Sequence, residues 1–226
     1  MNSILAECAA VTRKELVHLW RARSRMVATG TFALATLLLF SFAGGLDEDA
    51  LRRNAAGYLW LGLLLASTLA LGESFRVETE HNAIEMLLLL PVRPAALFYG
   101  KAIGNLVVLV IVGLVMVPFT VVLFDAAPKE SVLKLGASIF LGAAAIAAPG
   151  TMHAALAARA RSRDVLLPLL LFPLVVPCVI ASVQATQLCI GGDAMGQFGA
   201  WLTVVAAFCV VHWSLGGLLF DRVVED

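Results

Sequence analysis

The sequence predicts an all-α membrane protein, with six transmembrane helices following an amphipathic interfacial helix in one domain over residues 1–226. Three observations predict it. The chain is 61% hydrophobic and only 14% charged, with a mean hydropathy of +0.92, whereas soluble domains are about 45–50% apolar and about 25% charged. Six windows are apolar over nearly the length, about 20 residues, that a helix needs to cross a hydrocarbon core of about 30 Å. Lys and Arg are distributed unequally between the segments that join those windows. The net charge of zero excludes nucleic-acid binding as a main activity, because phosphate contacts need clustered Lys and Arg.

The N-terminal segment, 1–25, comes first. Ile4, Leu5, Cys8, Val11, Leu16, Leu19 and Trp20 share one broad face at helical spacing, with Glu7, Lys14, His18 and Arg21 opposite. Glu15 sits awkwardly on the apolar face. Such a helix, ending in a basic cluster, lies in the membrane interface against anionic headgroups. The alternative is a basic leader that only sets topology. The predicted spans are Met26–Ala43, Gly57–Gly72, Ile103–Phe124, Leu135–Leu156, Val165–Val183 and Phe198–Phe220. The second is short and should extend into Asn54–Ala56 or Glu73–Phe75. Backbone polar groups in hydrocarbon must be satisfied within the segment, so these spans are helices. Barrel strands would alternate over about 10 residues, and no such pattern is present. The first span starts behind a polar segment and reads as a retained span, not a cleaved leader. Pro149 in the fourth span, and Pro168, Pro173 and Pro177 in the fifth, each remove a backbone hydrogen bond. They predict two interrupted helices, either a moving, cavity-lining pair or static kinks. The four cysteines, Cys8, Cys178, Cys189 and Cys209, have no metal spacing and read as small hydrophobes.

Orientation follows from the basic residues. Arg13, Lys14, Arg21, Arg23, Arg25, Arg76, Arg93, Lys101, Arg159, Arg161, Arg163 and Arg222 fall on one side, and Arg52, Arg53, Lys129 and Lys134 on the other. Twelve against four places both termini in the cytoplasm. The segments on the opposite side are short and hold no domain.

The cytoplasmic segment 73–101 carries the most information. Glu73, Glu78, Glu80 and Glu85 lead into the apolar run Met86–Leu90, which Pro91 stops. Five residues cannot span, so the run forms a short surface helix. It is either a ridge for docking a soluble partner or a helix packed on its own bundle.

Ionisable residues within spans are functional candidates. His153 and His212 could ligate haem iron or relay protons, yet neither has a carboxylate partner in its own helix. They read as hydrogen-bonded neutral rings. Asn105 reads as a bond between helices. The sequence lacks zinc-protease, nucleophile-elbow and haem-attachment motifs. Gly100-Lys101 lacks the spacing of a phosphate-binding loop. The chain is therefore not expected to be an enzyme, and any ATP would be bound by a partner subunit.

The stretch Phe75–Pro91 resembles a signature of the CcmB family, membrane subunits of the haem exporter of bacterial c-type cytochrome maturation. Phe75, Arg76, Glu78, Ile84, Glu85 and Pro91 match its pattern, and Lys101 follows at the family's distance. Ala148-Pro149-Gly150 and Pro173-Leu174 with Pro177 match further along, in order. Asn82 departs from an expected glycine, but asparagine also tolerates left-handed geometry. The resemblance implies a six-helix ABC-2-like permease in the bacterial inner membrane, forming a homodimer with two cytosolic ABC ATPase subunits. It implies a haem-handling membrane subunit and a small single-span subunit as partners, and a periplasmic haem chaperone indirectly. Haem is then a handled or transported ligand and no resident cofactor is implied. Phe75, Arg76, Glu78, Glu80, Ile84, Glu85, Met86, Leu87, Leu88 and Pro91 would form the ATPase-coupling loop. An ABC-2-type permease for a drug or polysaccharide has the same topology and is the alternative. An intramembrane enzyme would need a polar catalytic cluster inside the spans, which the sequence lacks.

The topology has a direct test. In a cysteine-free background, a cysteine replacing Asn2 should resist an impermeant reagent added outside intact cells, and one replacing Asp193 should react. Labelling at position 2 would reverse the assigned orientation.

Overall fold

A computed structural model describes residues 4–21, 23–45, 47–80, 93–158 and 163–225. Seven helices form there: α1 (Ile4–Arg21), α2 (Arg23–Ala43), α3 (Glu48–Glu80), α4 (Pro94–Phe124), α5 (Val132–Ala158), α6 (Arg163–Gly191) and α7 (Phe198–Glu225). Among the described residues, α2 to α7 are the helices long and apolar enough to cross a membrane. Because six crossings return the chain to its starting side, both termini lie at one end of the bundle, here the terminal end. The opposite end is the far end.

The helices outrun the predicted spans. At about 1.5 Å per residue, α3 (33 residues) and α4 (31 residues) are roughly 45–50 Å long, well beyond the hydrocarbon thickness. Both ends of the predicted loop 73–101 are therefore helical: α3 continues to Glu80 and α4 begins at Pro94. Pro94 suits the first helical turn, where its missing N–H has no partner to lose.

The centre of the bundle is α5, which packs against α3, α4, α6 and α7. Its sequence explains this position. Gly142 through Thr151 are all buried, and apart from Ile146 they are small, so neighbouring backbones approach closely. At Gly142 a Cβ would collide with the indole of Trp60 on α3. That indole donates to Thr186 Oγ1 on α6 at 2.9 Å, so this large side chain packed on α5 is also anchored beyond it. Asn105 on α4 donates to Thr151 Oγ1 at 2.9 Å, the bond between helices that the sequence predicts. Trp213 on α7 donates to the Ala144 carbonyl at 3.0 Å. In a medium without water these bonds satisfy polar groups that would otherwise be costly.

The proline reading of kinks or breaks is corrected as to the breaks. α5 runs without interruption through Pro149, and α6 through Pro168, Pro173 and Pro177. Each proline removes a single intrahelical bond, and the surrounding helices hold the remainder in place.

At the far end, Asp47 accepts the Ala50 N–H at 3.0 Å and starts α3. Asp193 accepts the N–H groups of Gln197 (2.8 Å) and Phe198 (3.0 Å) and caps α7. Glu130 accepts Lys134 Nζ at 2.8 Å and the Asp193 N–H at 3.3 Å, tying the loop before α5 to the loop before α7. The Lys134 ammonium holds the Glu130 carboxyl below its ordinary value, with the Asp193 N–H adding to the effect. The Phe198 N–H first, then that of Gln197, lowers Asp193.

Both carboxyls thus titrate lower when folded than when unfolded. Their stabilisation is present above the usual carboxylate range and is lost as pH falls through the depressed folded values. The thermal midpoint of the purified chain should fall on acidification through that window. A Glu130→Gln/Asp193→Asn double variant should start lower at neutral pH and fall less. Equal pH slopes for the two proteins would show that the network does not contribute.

Candidate functional site

The predicted coupling residues divide into three groups. Phe75 is buried on α3. Arg76, Glu78 and Glu80 occupy the last turn and a half of α3, and only their backbone is described. Ile84, Glu85, Met86, Leu87, Leu88 and Pro91 lie outside the described residues.

Around this segment the structure assembles residues that the sequence reading left apart. Lys101, counted there as a loop cation, is inside α4 with its side chain 1% exposed. Removing it leaves the charge asymmetry at eleven against four, in the same direction. Its Nζ lies 3.3 Å from Glu15 Oε1 on α1. It donates to the Ser74 carbonyl at 3.1 Å and sits 4.4 Å from the Phe75 ring centroid. A buried ammonium is tolerated only when paired and hydrogen-bonded, and this one is held by α1 and α3 together. The position of Glu15 on an apolar helix face is thereby explained: the Val11, Glu15 and Leu19 edge of that face is turned inward, and the carboxylate meets the lysine of α4 there. Lys14 Nζ lies 3.5 Å from the same carboxylate oxygen.

Glycine makes the close approach possible. A Cβ at Gly100 would collide with Val11, and one at Gly104 would stand 3.0 Å from the Glu15 Cβ. Gly100-x-x-x-Gly104 therefore forms a trough on α4 that receives α1, the packing that small residues four apart permit. About two turns before Glu15, Glu7 Oε2 accepts the backbone N–H of Arg93 at 3.1 Å. Arg93 is the residue that caps α4, where a carboxylate meets the positive end of the helix dipole.

α1 is thus tied directly to the flank of residues 81–92 at Arg93 and, through Lys101 of α4, to the other flank. Glu7 holds the flank at Arg93, and the Glu15–Lys101 pair reaches Ser74 and Phe75 on the other. Two signals in the sequence could have revealed this arrangement: the misplaced Glu15, and a lysine flanked by glycines spaced for helix packing. The sequence reading put Glu7 opposite the apolar face, and the structure shows it meeting the Arg93 N–H.

The two histidines are held by their own helices. His153 Nδ1 lies 2.7 Å from the Pro149 carbonyl, and His212 Nδ1 lies 2.9 Å from that of Phe208. With the proton on Nδ1, each ring donates to the carbonyl four residues earlier. The sequence offered no orienting partner for either ring, and backbone supplies it. His212 also stacks on Phe208 with ring centroids 3.8 Å apart. Among the described residues, no three His, Cys, Asp or Glu side chains cluster to hold a metal ion.

The family model described as CcmB protein matches residues 6–225. Heme exporter protein B of Rhodobacter capsulatus is 34% identical over 156 residues, covering 69% of this chain and 71% of that protein. The protein of the same name from Bradyrhizobium diazoefficiens is 27% identical over 210 residues, 92% of each chain. That of Pseudomonas aeruginosa is 26% identical over 197 residues, covering 87% and 88%.

The buried pair predicts a pattern of mutant stabilities. Lys101→Met leaves Glu15 desolvated without its buried partner and should destabilise the chain by about 3–5 kcal/mol. The double variant Lys101→Met/Glu15→Leu should recover most of that loss. Thermal unfolding in detergent reads both. Additive effects in the double variant would show that the two groups do not interact.

Proposed function

Since the chain belongs to the CcmB family, we propose that it is the membrane permease subunit of an ATP-driven complex for c-type cytochrome assembly. Its work is the export of haem or the release of a haem-loaded periplasmic chaperone. The observation that carries this reading is the match along 6–225, together with relatives named heme exporter protein B over most of their length.

ATP comes from a cytosolic ABC ATPase subunit, because this sequence has no phosphate-binding loop of the usual spacing. The complex sits in the bacterial inner membrane, with the terminal end of the bundle in the cytoplasm and two copies of this chain pairing with two ATPases. A haem-handling membrane subunit and a small single-span subunit complete it. Haem is cargo in this scheme and not a resident group.

Residues 73–101 are the coupling element. Ile84, Met86, Leu87 and Leu88 fill a groove on the ATPase, with Glu78, Glu80 and Glu85 at its rim. Uncovered apolar surface in the cytoplasm is unfavourable by about 25 cal/mol per Å², and apolar anchors at the centre of an interface dominate its energy. The tie formed by Glu7, Glu15 and Lys101 then matters mechanically. A push on the coupling element reaches α3 and α4 together, because Lys101 of α4 bonds to Ser74 of α3 while α1 holds both Lys101 and Arg93, and α5 receives it from both through Trp60 and Asn105. Phe75 and Arg76 stand where α3 leads into the element, and Pro91 stops its apolar run.

Leu87→Asp or Leu88→Asp should abolish co-purification of the ATPase while leaving membrane insertion intact. Glu85→Ala should lower the yield of holocytochrome c more than Glu78→Ala. If the aspartate variants retain the ATPase, the apolar run packs on its own bundle and the coupling surface lies elsewhere.

A further inference from the structure

The outer side of α1 is an open apolar groove of about 620 Å³. Leu5, Ala9, Leu16 and Trp20 of α1 line it with Ile103 of α4, so it lies where α1 meets a spanning helix. Two cations, Arg13 and Arg21, also border it, and among the described residues no acidic one does.

That charge pattern follows from the packing described above. α1 has two acids, Glu7 and Glu15. Both are turned toward the protein, one onto the Arg93 N–H and the other onto Lys101. The remaining outward surface is therefore apolar and basic. Leu5, Leu16, Val17 and Trp20 are all exposed on it, Trp20 at 71%. A guanidinium binds a phosphate oxygen pair through its planar fork, and indole favours the headgroup level of a bilayer.

We propose that this groove is a binding site for one anionic phospholipid, with an acyl chain along Leu5, Leu16 and Ile103 and the phosphate at Arg13 and Arg21. The proposal goes beyond the transport reading and does not depend on it. Its occupant is a lipid because the apolar floor and the basic border together match an amphiphile with a negative head. A free phosphate would leave the apolar floor uncovered.

The test uses the full chain in nanodiscs, with Trp20 as reporter. Lipids with brominated chains quench indole fluorescence on contact. Subtracting the signal of Trp20→Phe isolates Trp20 from the other three tryptophans. Brominated phosphatidylglycerol should quench Trp20 at a mole fraction roughly thirtyfold lower than brominated phosphatidylcholine, since each basic group near an anionic surface contributes about a fivefold preference and two border the groove. Arg13→Gln/Arg21→Gln should remove the preference, and Arg13→Lys/Arg21→Lys should retain most of it. Added inorganic phosphate should leave it unchanged. Size-exclusion profiles show whether each variant keeps its fold, and both arginines are exposed, so the variants should remain folded. Equal quenching by the two lipids in the unaltered chain would overturn the proposal, because the face would then be a general interfacial surface. Loss of the preference on adding phosphate would also overturn it. So would a Trp20 that is shielded from both lipids, because a protein or a second copy would then cover the groove.

Discussion

A lysine ammonium cannot remain alone in an apolar interior, and the terminal end of this bundle is arranged around that constraint. Lys101 points inward from α4, and its charge is met by Glu15 of α1, the Ser74 carbonyl and the Phe75 ring. These contacts join three helices, α1 and α3 meeting the lysine of α4. Moving any one of them would leave a desolvated charge without part of its compensation. The positions of α1, α3 and α4 are therefore mutually dependent at that end, in a way that apolar contact alone would not impose.

The middle of the bundle follows different physics. Between apolar helices in lipid there is little hydrophobic driving force, so packing detail and a few hydrogen bonds determine the arrangement. The small residues from Gly142 to Thr151 make α5 narrow, and four helices surround it. Trp60, Asn105 and Trp213 each form a polar contact through or onto that narrow region. One end of the bundle is thus held by charge and its centre by close packing.

Much of the fold is legible in the sequence, because bilayer thickness imposes a length on every apolar run. Six spans, the helix before them and the Asn105 bond between helices could be read from residue types alone. Other features could not. Lys101 was assigned to a loop because a cation is expected in water, and only the position of Glu15, 86 residues away, makes its burial affordable. The prolines of α5 and α6 were read as interruptions because a sequence shows the lost hydrogen bond and not the neighbours that hold the helix. The long spans were drawn too short, α3 at both ends and α4 at its start, since composition marks where hydrocarbon stops and not where a helix stops. Of the candidate coupling residues, Phe75 has a described side-chain environment, and it lies against Lys101.

The separation between Glu15 and Lys101 has a consequence for biogenesis. At ribosomal speeds of about 5–20 residues per second, Lys101 is made roughly 4–17 s after Glu15. During that interval α1 has no trough to occupy, since Gly100 and Gly104 are also not yet made. Its acid must stay hydrated, so α1 waits at the membrane surface while α2 and α3 insert. Docking of α1 then comes after synthesis of the third span, and a chain stalled before α4 would expose a carboxylate that the complete protein conceals. Membrane proteases that survey orphaned segments would meet such a chain with its first helix undocked.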